Sequence, residues 1–272
     1  MHPQGVGLAQ SEGGDMKGTF LLLLLISLPV NAQSPFDGTW RIDQASLKVP
    51  AAPAKFLLTK GTFECNGCLG DVSVKADGRP HKIPDSAYWN AATVRIINRR
   101  SVRITTDKDG KIFYTETDTL SPDGNDLTQF GKDTTEAEAV TTTVQFHRIE
   151  KAPPRAHPIS GSWQAYKIEK SPNGLIISYK CTKEGFNAET PLGEKYEAKF
   201  DGKFVPVTDD PGQTMVAVKR IDERTVETTI KRGGQIAGGS RLTVSEDGQT
   251  LYSLHQDASG KQTGSVVMHR QL

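Results

Sequence analysis

The chain has 272 residues, of which 36% are apolar and 24% charged, and its formal net charge is +1. That composition excludes a mostly disordered chain, and so small a net charge gives no electrostatic case for nucleic acid or an anionic membrane as partner. The length fits one or two domains.

In chain order, the first signal is an address. Lys17, the apolar run Phe20 to Val30 (FLLLLLISLPV) and the small-residue site Val30-Asn31-Ala32 form the pattern of a secretory signal peptide. The run is too short to span a bilayer. Residues 1–15 carry no targeting pattern, so translation starts at either Met1 or Met16. No Cys follows the apolar run, which argues against a lipid anchor. Residues 1–32 are therefore set apart as signal peptide and upstream segment, and the remainder is expected to be periplasmic or secreted, without a membrane span.

After this segment, Phe36-Asp37-Gly38-Thr39-Trp40 leads into a short strand, and Pro50 to Leu58 has room for one helical turn. Cys65-Asn66-Gly67-Cys68 places the strongest two-residue hairpin signal between two cysteines within bridging distance. In an oxidising compartment a structural disulfide is the favoured reading. Two free thiols, or redox or metal chemistry, are the alternatives, the last lacking its usual βαβ context. Cys181 is then left to be buried and free, or to join two chains.

The stretch Thr93 to Ile112 recurs at an offset of 124 as Ala217 to Ile236, with identities that include Val94/Val218, Arg100/Arg224, Val102/Val226, Gly110/Gly234 and Ile112/Ile236. Thr119, Ser121, Asp123, Gly124 and Leu127 continue the match at Thr243, Ser245, Asp247, Gly248 and Leu251. A fixed offset of this kind marks an internal repeat. Residues 33–150 are expected to form the first domain and residues 159–272 the second. Between them, 151–158 (KAPPRAHP) is a proline-rich, semi-rigid linker. Within each copy, Val102-Arg103-Ile104-Thr105 and Thr225 to Ile230 alternate apolar with polar residues. Asp-Gly, Gly-Gly and Ser-Gly pairs, from Asp77-Gly78 to Ser259-Gly260, punctuate the chain at short intervals. The fold class read from this pattern is all-β, as two tandem small antiparallel barrels.

The ends of each copy match as well, with Phe146-His147-Arg148 closing the first and Met268-His269-Arg270 the second. Gly38-Thr39-Trp40 with Arg148, and Gly161-Ser162-Trp163 with Arg270, resemble the lipocalin and fatty-acid-binding (calycin) superfamily. In that family a Gly-x-Trp opens the first strand and an Arg on the last strand covers the Trp to close the barrel. The resemblance implies lipocalin-like barrels with Trp40, Arg148, Trp163 and Arg270 as structural closers, Trp40 under Arg148 and Trp163 under Arg270. The chain also resembles tandem β-rich exported bacterial proteins, which implies no activity.

Motifs for chemistry are sparse. Thr105 to Glu116 has Asp107, Asp109, Gly110 and Glu116 at calcium-loop spacing, but an EF-hand needs a helix on both sides and the flanks read as strands. His147 and His269 are expected to be hydrogen-bonded strand residues, with ligand or metal contact as the other reading. Catalytic motifs such as Gly-x-Ser-x-Gly and His-Glu-x-x-His are absent from the sequence. Tyr88, Trp89, Tyr179, Tyr196 and Phe200 are expected in cores or at rims, with a cavity lining as the alternative, and the charged residues along strands read as solvated faces. The expectation is a non-enzymatic exported protein, with no catalytic residues, metal or cofactor, carrying a small apolar ligand in one or both barrels. The alternative is a structural module with filled barrels that binds a protein or a cell-envelope glycan.

Overall fold

A computed structural model describes residues 33–66, 72–83, 88–135 and 138–271. Residues 1–32, which carry the expected signal peptide, and Cys68 lie outside the described residues. The chain is all-β, with two nearly closed antiparallel sheets of ten strands each.

The strands of the first half are β1 (Gly38–Ile42), β2 (Ala54–Thr59), β3 (Thr62–Asn66), β4 (Val72–Lys75), β5 (Asp77–Lys82), β6 (Ala91–Asn98), β7 (Ser101–Lys108), β8 (Lys111–Leu120), β9 (Asp126–Asp133) and β10 (Val140–Glu150). Those of the second half are β11 (Gly161–Lys170), β12 (Ile176–Cys181), β13 (Gly185–Glu189), β14 (Lys195–Lys199), β15 (Val205–Pro206), β16 (Met215–Arg220), β17 (Thr225–Arg232), β18 (Gln235–Val244), β19 (Thr250–Gln256) and β20 (Gln262–Arg270). Apolar and polar residues alternate along most of them, so one face is buried, whereas β5 and β15 have no buried residue. The Asp-Gly and Gly-Gly turns supply the positive φ that tight connections need: Gly110 sits at φ 82°, Gly234 at 79° and Gly248 at 69°. The helical turn expected within Pro50 to Leu58 is not formed there. Ala54 to Leu58 belong to β2, where Phe56 and Leu58 alternate into the core, and the short helical turns lie at Gln44–Ser46 and Pro172–Leu175.

The sheets do not follow the two sequence copies. Barrel 1 has the strand order β4-β3-β2-β11-β10-β9-β8-β7-β6-β5, and barrel 2 the order β14-β13-β12-β1-β20-β19-β18-β17-β16-β15. The two orders correspond position by position, with the first strands exchanged. β11 pairs with β10 and β2, whereas β1 pairs with β20 and β12. This corrects the expected division at 151–158. That segment joins β10 to β11 inside one barrel, and it folds into a turn with Ala156 N bonded to Pro153 O rather than extending as a spacer. The physical reason is proximity in sequence: β11 follows β10 closely enough to pair with it antiparallel, and consecutive strands usually become neighbours. The slot beside β10 is then filled, and β1 occupies the equivalent slot between β20 and β12.

The Trp–Arg pairing is corrected with it. Arg148 lies over Trp163 at 4.0 Å, and Arg270 over Trp40 at 4.3 Å. Each Trp is fully buried and donates its indole N–H to a carbonyl four residues earlier, Trp40 to Phe36 and Trp163 to Ile159, both at 2.9 Å. Each Arg also spreads its donors over three carbonyls. Arg148 reaches Gly124, Ser160 and Pro158, and Arg270 reaches Gly248, Asp37 and Pro35. The Gly of each Gly-x-Trp makes room for this. Gly161 has φ 129°, and a Cβ there would stand 2.3 Å from the Glu150 carbonyl and 2.8 Å from Arg148 Nη1. The cores follow the exchange: Ile159, Trp163 and Ala165 pack with Phe56, Phe63 and Leu127 in barrel 1, and Phe36 and Trp40 with Phe186, Leu251 and Met268 in barrel 2.

Trp40→Ala is expected to cost about 3–5 kcal/mol, the usual loss for a buried Trp. In hydrogen exchange by mass spectrometry, the lost protection should fall on β12 and β20 and spare β10.

Candidate functional site

A cavity of about 310 Å³ occupies the interior of barrel 1. Its walls are mostly apolar, with Phe56, Phe63, Trp89, Ile104, Val144 and Phe146 among them, and its polar members are Thr106, Tyr114, Glu116 and Gln129. Barrel 2 is different inside. Tyr179 and Phe186 stack at 5.2 Å, and Phe36 meets the Phe186 edge at 5.2 Å, so aromatic rings pack together in its core. The larger hollow of about 640 Å³ on barrel 2 is lined by Tyr179 together with Lys180, and by Ala188 together with Glu189. Sequence neighbours on a strand point to opposite faces, so this hollow is a groove cutting through the wall beside β14 and β15 rather than a lumen.

β8 carries the polar part of the barrel 1 cavity. Tyr114, Glu116, Asp118 and Leu120 are spaced by two and share the inward face, and Leu120 is buried in the core on that face. Asp118 has no exposed surface. Opposite it on β9 stands Gln129, whose amide donates to Glu116 Oε1 at 2.9 Å and to Asp118 Oδ1 at 3.3 Å. Tyr114 donates to Glu116 Oε2 at 3.4 Å. Tyr114 fits because residue 131 is glycine: a Cβ there would fall 1.8 Å from its hydroxyl oxygen. Among the described residues, two buried side-chain oxygens have no hydrogen-bond partner, Asp118 Oδ2 and Thr106 Oγ1.

Burial dominates the electrostatics. It raises the Glu116 carboxyl well above its ordinary range, and the neighbouring Asp118 charge adds to the shift. Burial likewise raises Asp118 to about 7, against an opposing hydrogen bond from Gln129. The Tyr114 hydroxyl is held far above its usual value by burial and by Glu116. No Lys, Arg or His lines the cavity among the described residues.

At the corresponding register of barrel 2, Ile104 opposite Glu116 becomes Thr228 opposite Ser240, and Asp118 opposite Gln129 becomes Leu242 opposite Ser253. Ser240 Oγ and His255 Nδ1 are 2.9 Å apart, and burial lowers the His255 pKa. The acid pair is therefore specific to barrel 1.

Trp89 and Tyr114 also border a cleft of about 470 Å³ whose other wall comes from barrel 2, through Leu192, Glu194, Asp209, Pro211 and Arg232. Lys108 Nζ donates to the Pro211 carbonyl at 2.7 Å. A Cβ on Gly212 would sit 2.8 Å from the Tyr88 ring, and the Arg232 guanidinium is 5.0 Å from that ring's centre. Barrel 2 thus borders the Trp89 side of the cavity.

The other singled-out residues lie elsewhere. Thr105 to Glu116 forms the β7–β8 hairpin, with Asp109 at φ 53° and Gly110 N bonded to Asp107 Oδ1, and Glu116 points inward instead of completing a loop. His147 is exposed, pairs with Asp126 at 2.5 Å and stacks on Tyr166 at 3.9 Å, and His269 is exposed on β20. Neither His lines the barrel 1 cavity. Of the expected aromatics, Trp89 lines that cavity, Tyr88 packs against barrel 2, Tyr179 and Tyr196 are inside barrel 2, and Phe200 lies 4.3 Å beneath Arg220. Cys65 is buried and disulfide-bonded, and Cys181 is buried and free, 2.9 Å from Arg220 Nη2. The reading of all strand charges as solvated faces is corrected by Glu116 and Asp118. Their signal was present: both share the alternation phase of Leu120.

No family model, curated protein or solved structure matches the chain. Among the described residues no helix is long and apolar enough to cross a membrane.

Linkage gives a sign for the acid pair. Unfolded, Asp118 releases its proton near 3.8, but folded it keeps it to about 7. Its contribution to stability is therefore full below about pH 4 and lost as pH rises to about 7. Asp118→Asn removes that loss, at about 1.4 kcal/mol for each tenfold of proton affinity. The wild-type-minus-variant difference in unfolding free energy should fall steadily between pH 4 and pH 7 in urea titrations; a flat difference would mean that Asp118 ionises freely in the fold.

Proposed function

We propose that this is an exported, non-enzymatic binding protein, lipocalin-like in design, that holds a small apolar ligand in barrel 1. The observation that carries the reading is the cavity of about 310 Å³ with apolar walls and few polar groups. Small-molecule sites are built this way, and the volume is at the small end of their range of roughly 300–1,000 Å³. One ring or a short chain fits better than a long lipid. Barrel 2, with Tyr179, Phe186 and Phe36 packed in its core, serves as the frame that borders the site at Pro211 and Arg232. Export rests on the segment from Lys17 to Ala32.

The polar groups of the cavity fit binding better than turnover. The Gln129 amide donates to both Glu116 and Asp118, and among the described residues no Ser, Cys, Lys or His lines the wall.

Purified under native conditions, the exported form should release a small molecule on unfolding, detected by mass spectrometry, or take up a neutral apolar fluorophore at one site per chain. Ala165→Phe, which places a ring in the wall, should weaken fluorophore uptake at least about tenfold, as expected when a well-packed site is obstructed. A bare native mass, together with no uptake of any apolar probe, would contradict the reading.

A further inference from the structure

A carboxylate in an apolar cavity is costly unless something compensates it. Barrel 1 places two on one face of β8, Asp118 wholly buried and Glu116 half-buried on the cavity wall, and the residues around them supply little compensation. Gln129 reaches one oxygen of each, and Tyr114 reaches the other oxygen of Glu116. Asp118 Oδ2 and Thr106 Oγ1 have no partner, Asp118 being wholly buried and Thr106 on the cavity wall. On the flanking strands Glu116 stands opposite Ile104 and Gly131, and Asp118 opposite Val102 and Gln129, none of which titrates, while Thr106 lies one pair along, opposite Tyr114. The rest of the wall is apolar apart from Tyr114, and among the described residues it holds no cationic side chain. Neither carboxylate takes part in any salt bridge between described residues. Barrel 2, built on the same strand order, has Ser240 and Leu242 at the two positions, so the frame does not require acids there.

We propose that the barrel 1 cavity is a site for a small apolar amine, bound as the ammonium ion with its cation on Glu116 and Thr106 above the Asp118 carboxyl and its carbon skeleton among Phe56, Trp89 and Phe146. The chemistry is complementary. An ammonium brings three donors and no acceptor, while Glu116 and the Thr106 hydroxyl offer acceptors on the wall. Its positive charge supplies what two buried acids lack, and a charge-assisted hydrogen bond inside an apolar site is among the stronger single contacts available. A ligand carboxylate would find no cationic side chain among the described residues of the wall, and its charge would oppose ionisation of the two acids. A fatty acid is therefore the wrong occupant despite the apolar walls.

The inference rests on the reading of the cavity as a ligand site, and one experiment separates the two. Isothermal titration calorimetry on the exported chain would compare phenethylamine, the neutral 2-phenylethanol and the anionic 3-phenylpropanoate. The amine should bind at least about tenfold tighter than the alcohol, the gain expected from one charge-assisted hydrogen bond, and the carboxylate weakest of the three. Glu116→Gln, confirmed folded by its thermal transition, should bring the amine-to-alcohol ratio to about one. Thr106→Val should lower the ratio by a smaller factor. Equal or tighter binding of the alcohol or the carboxylate, or a ratio that Glu116→Gln leaves unchanged, would overturn the amine assignment while leaving a ligand cavity. If none of the three binds, both the assignment and the cavity reading fall.

Discussion

The structure depends on two guanidinium groups, each laid over a buried indole. Arg148 over Trp163 and Arg270 over Trp40 each combine a cation–π contact, worth about 0.5–2 kcal/mol, with donors directed at three backbone carbonyls. Arg does this where Lys does not, because its planar fork can stack and donate at the same time. Each clamp ties the last strand of a barrel to the segment leading into the Gly-x-Trp strand, and so fixes which strand closes which barrel. The glycine is part of the clamp, since a side chain at Gly161 would meet the Glu150 carbonyl and Arg148.

Because β1 closes barrel 2 and β11 closes barrel 1, neither barrel is complete without strands from both sequence copies. Barrel 2 brings the N-terminal and C-terminal strands side by side, Arg41 opposite His269. The segment between β1 and β2 crosses from one barrel to the other and is held on the way. Gln44 donates to the Ile168 carbonyl at 2.7 Å and accepts from Lys170 N at 3.0 Å. This interleaving holds the barrel 2 segment around Pro211 and Gly212 against Tyr88 and Lys108 of barrel 1, beside the cavity. Two equivalent frames then differ in content. Barrel 2 packs aromatic rings together in its core and has Ser240 and Leu242 where barrel 1 places its two acids beside the cavity.

Much of the fold was legible in the chain. Val102 to Thr105 and Thr225 to Ile230 gave the strand period, the Asp-Gly pairs marked turns that adopt the positive φ expected of them, and the Gly-x-Trp and Arg residues proved to be in contact. Partner choice was not legible, because Trp40 and Trp163 carry the same local signal and nothing local says whether a strand closes its own copy or the other. The difference lies in the connection, since β11 follows β10 after a short turn and pairs with it. At the site, Glu116 stands in the sequence as the last position of a calcium-loop-like spacing, and Asp118 belongs to no motif. An acid on an alternating strand usually faces water, and phase against Leu120 was the one sign that these do not. Gln129, Thr106 and Gly131 were beyond local reading, since each matters only through the strand that pairing sets beside it.

The exchange of first strands is the claim on which both barrels rest, and cysteine cross-linking tests it most directly. In a Cys181→Ser background, Arg41→Cys would be combined with His269→Cys or with His147→Cys, and each protein oxidised as a monomer and mapped by peptide mass. The exchanged topology places Arg41 opposite His269 and predicts a bond in the first pair and none in the second. A bond between residues 41 and 147, with residue 269 left free, would show each copy closing on itself and would contradict the account.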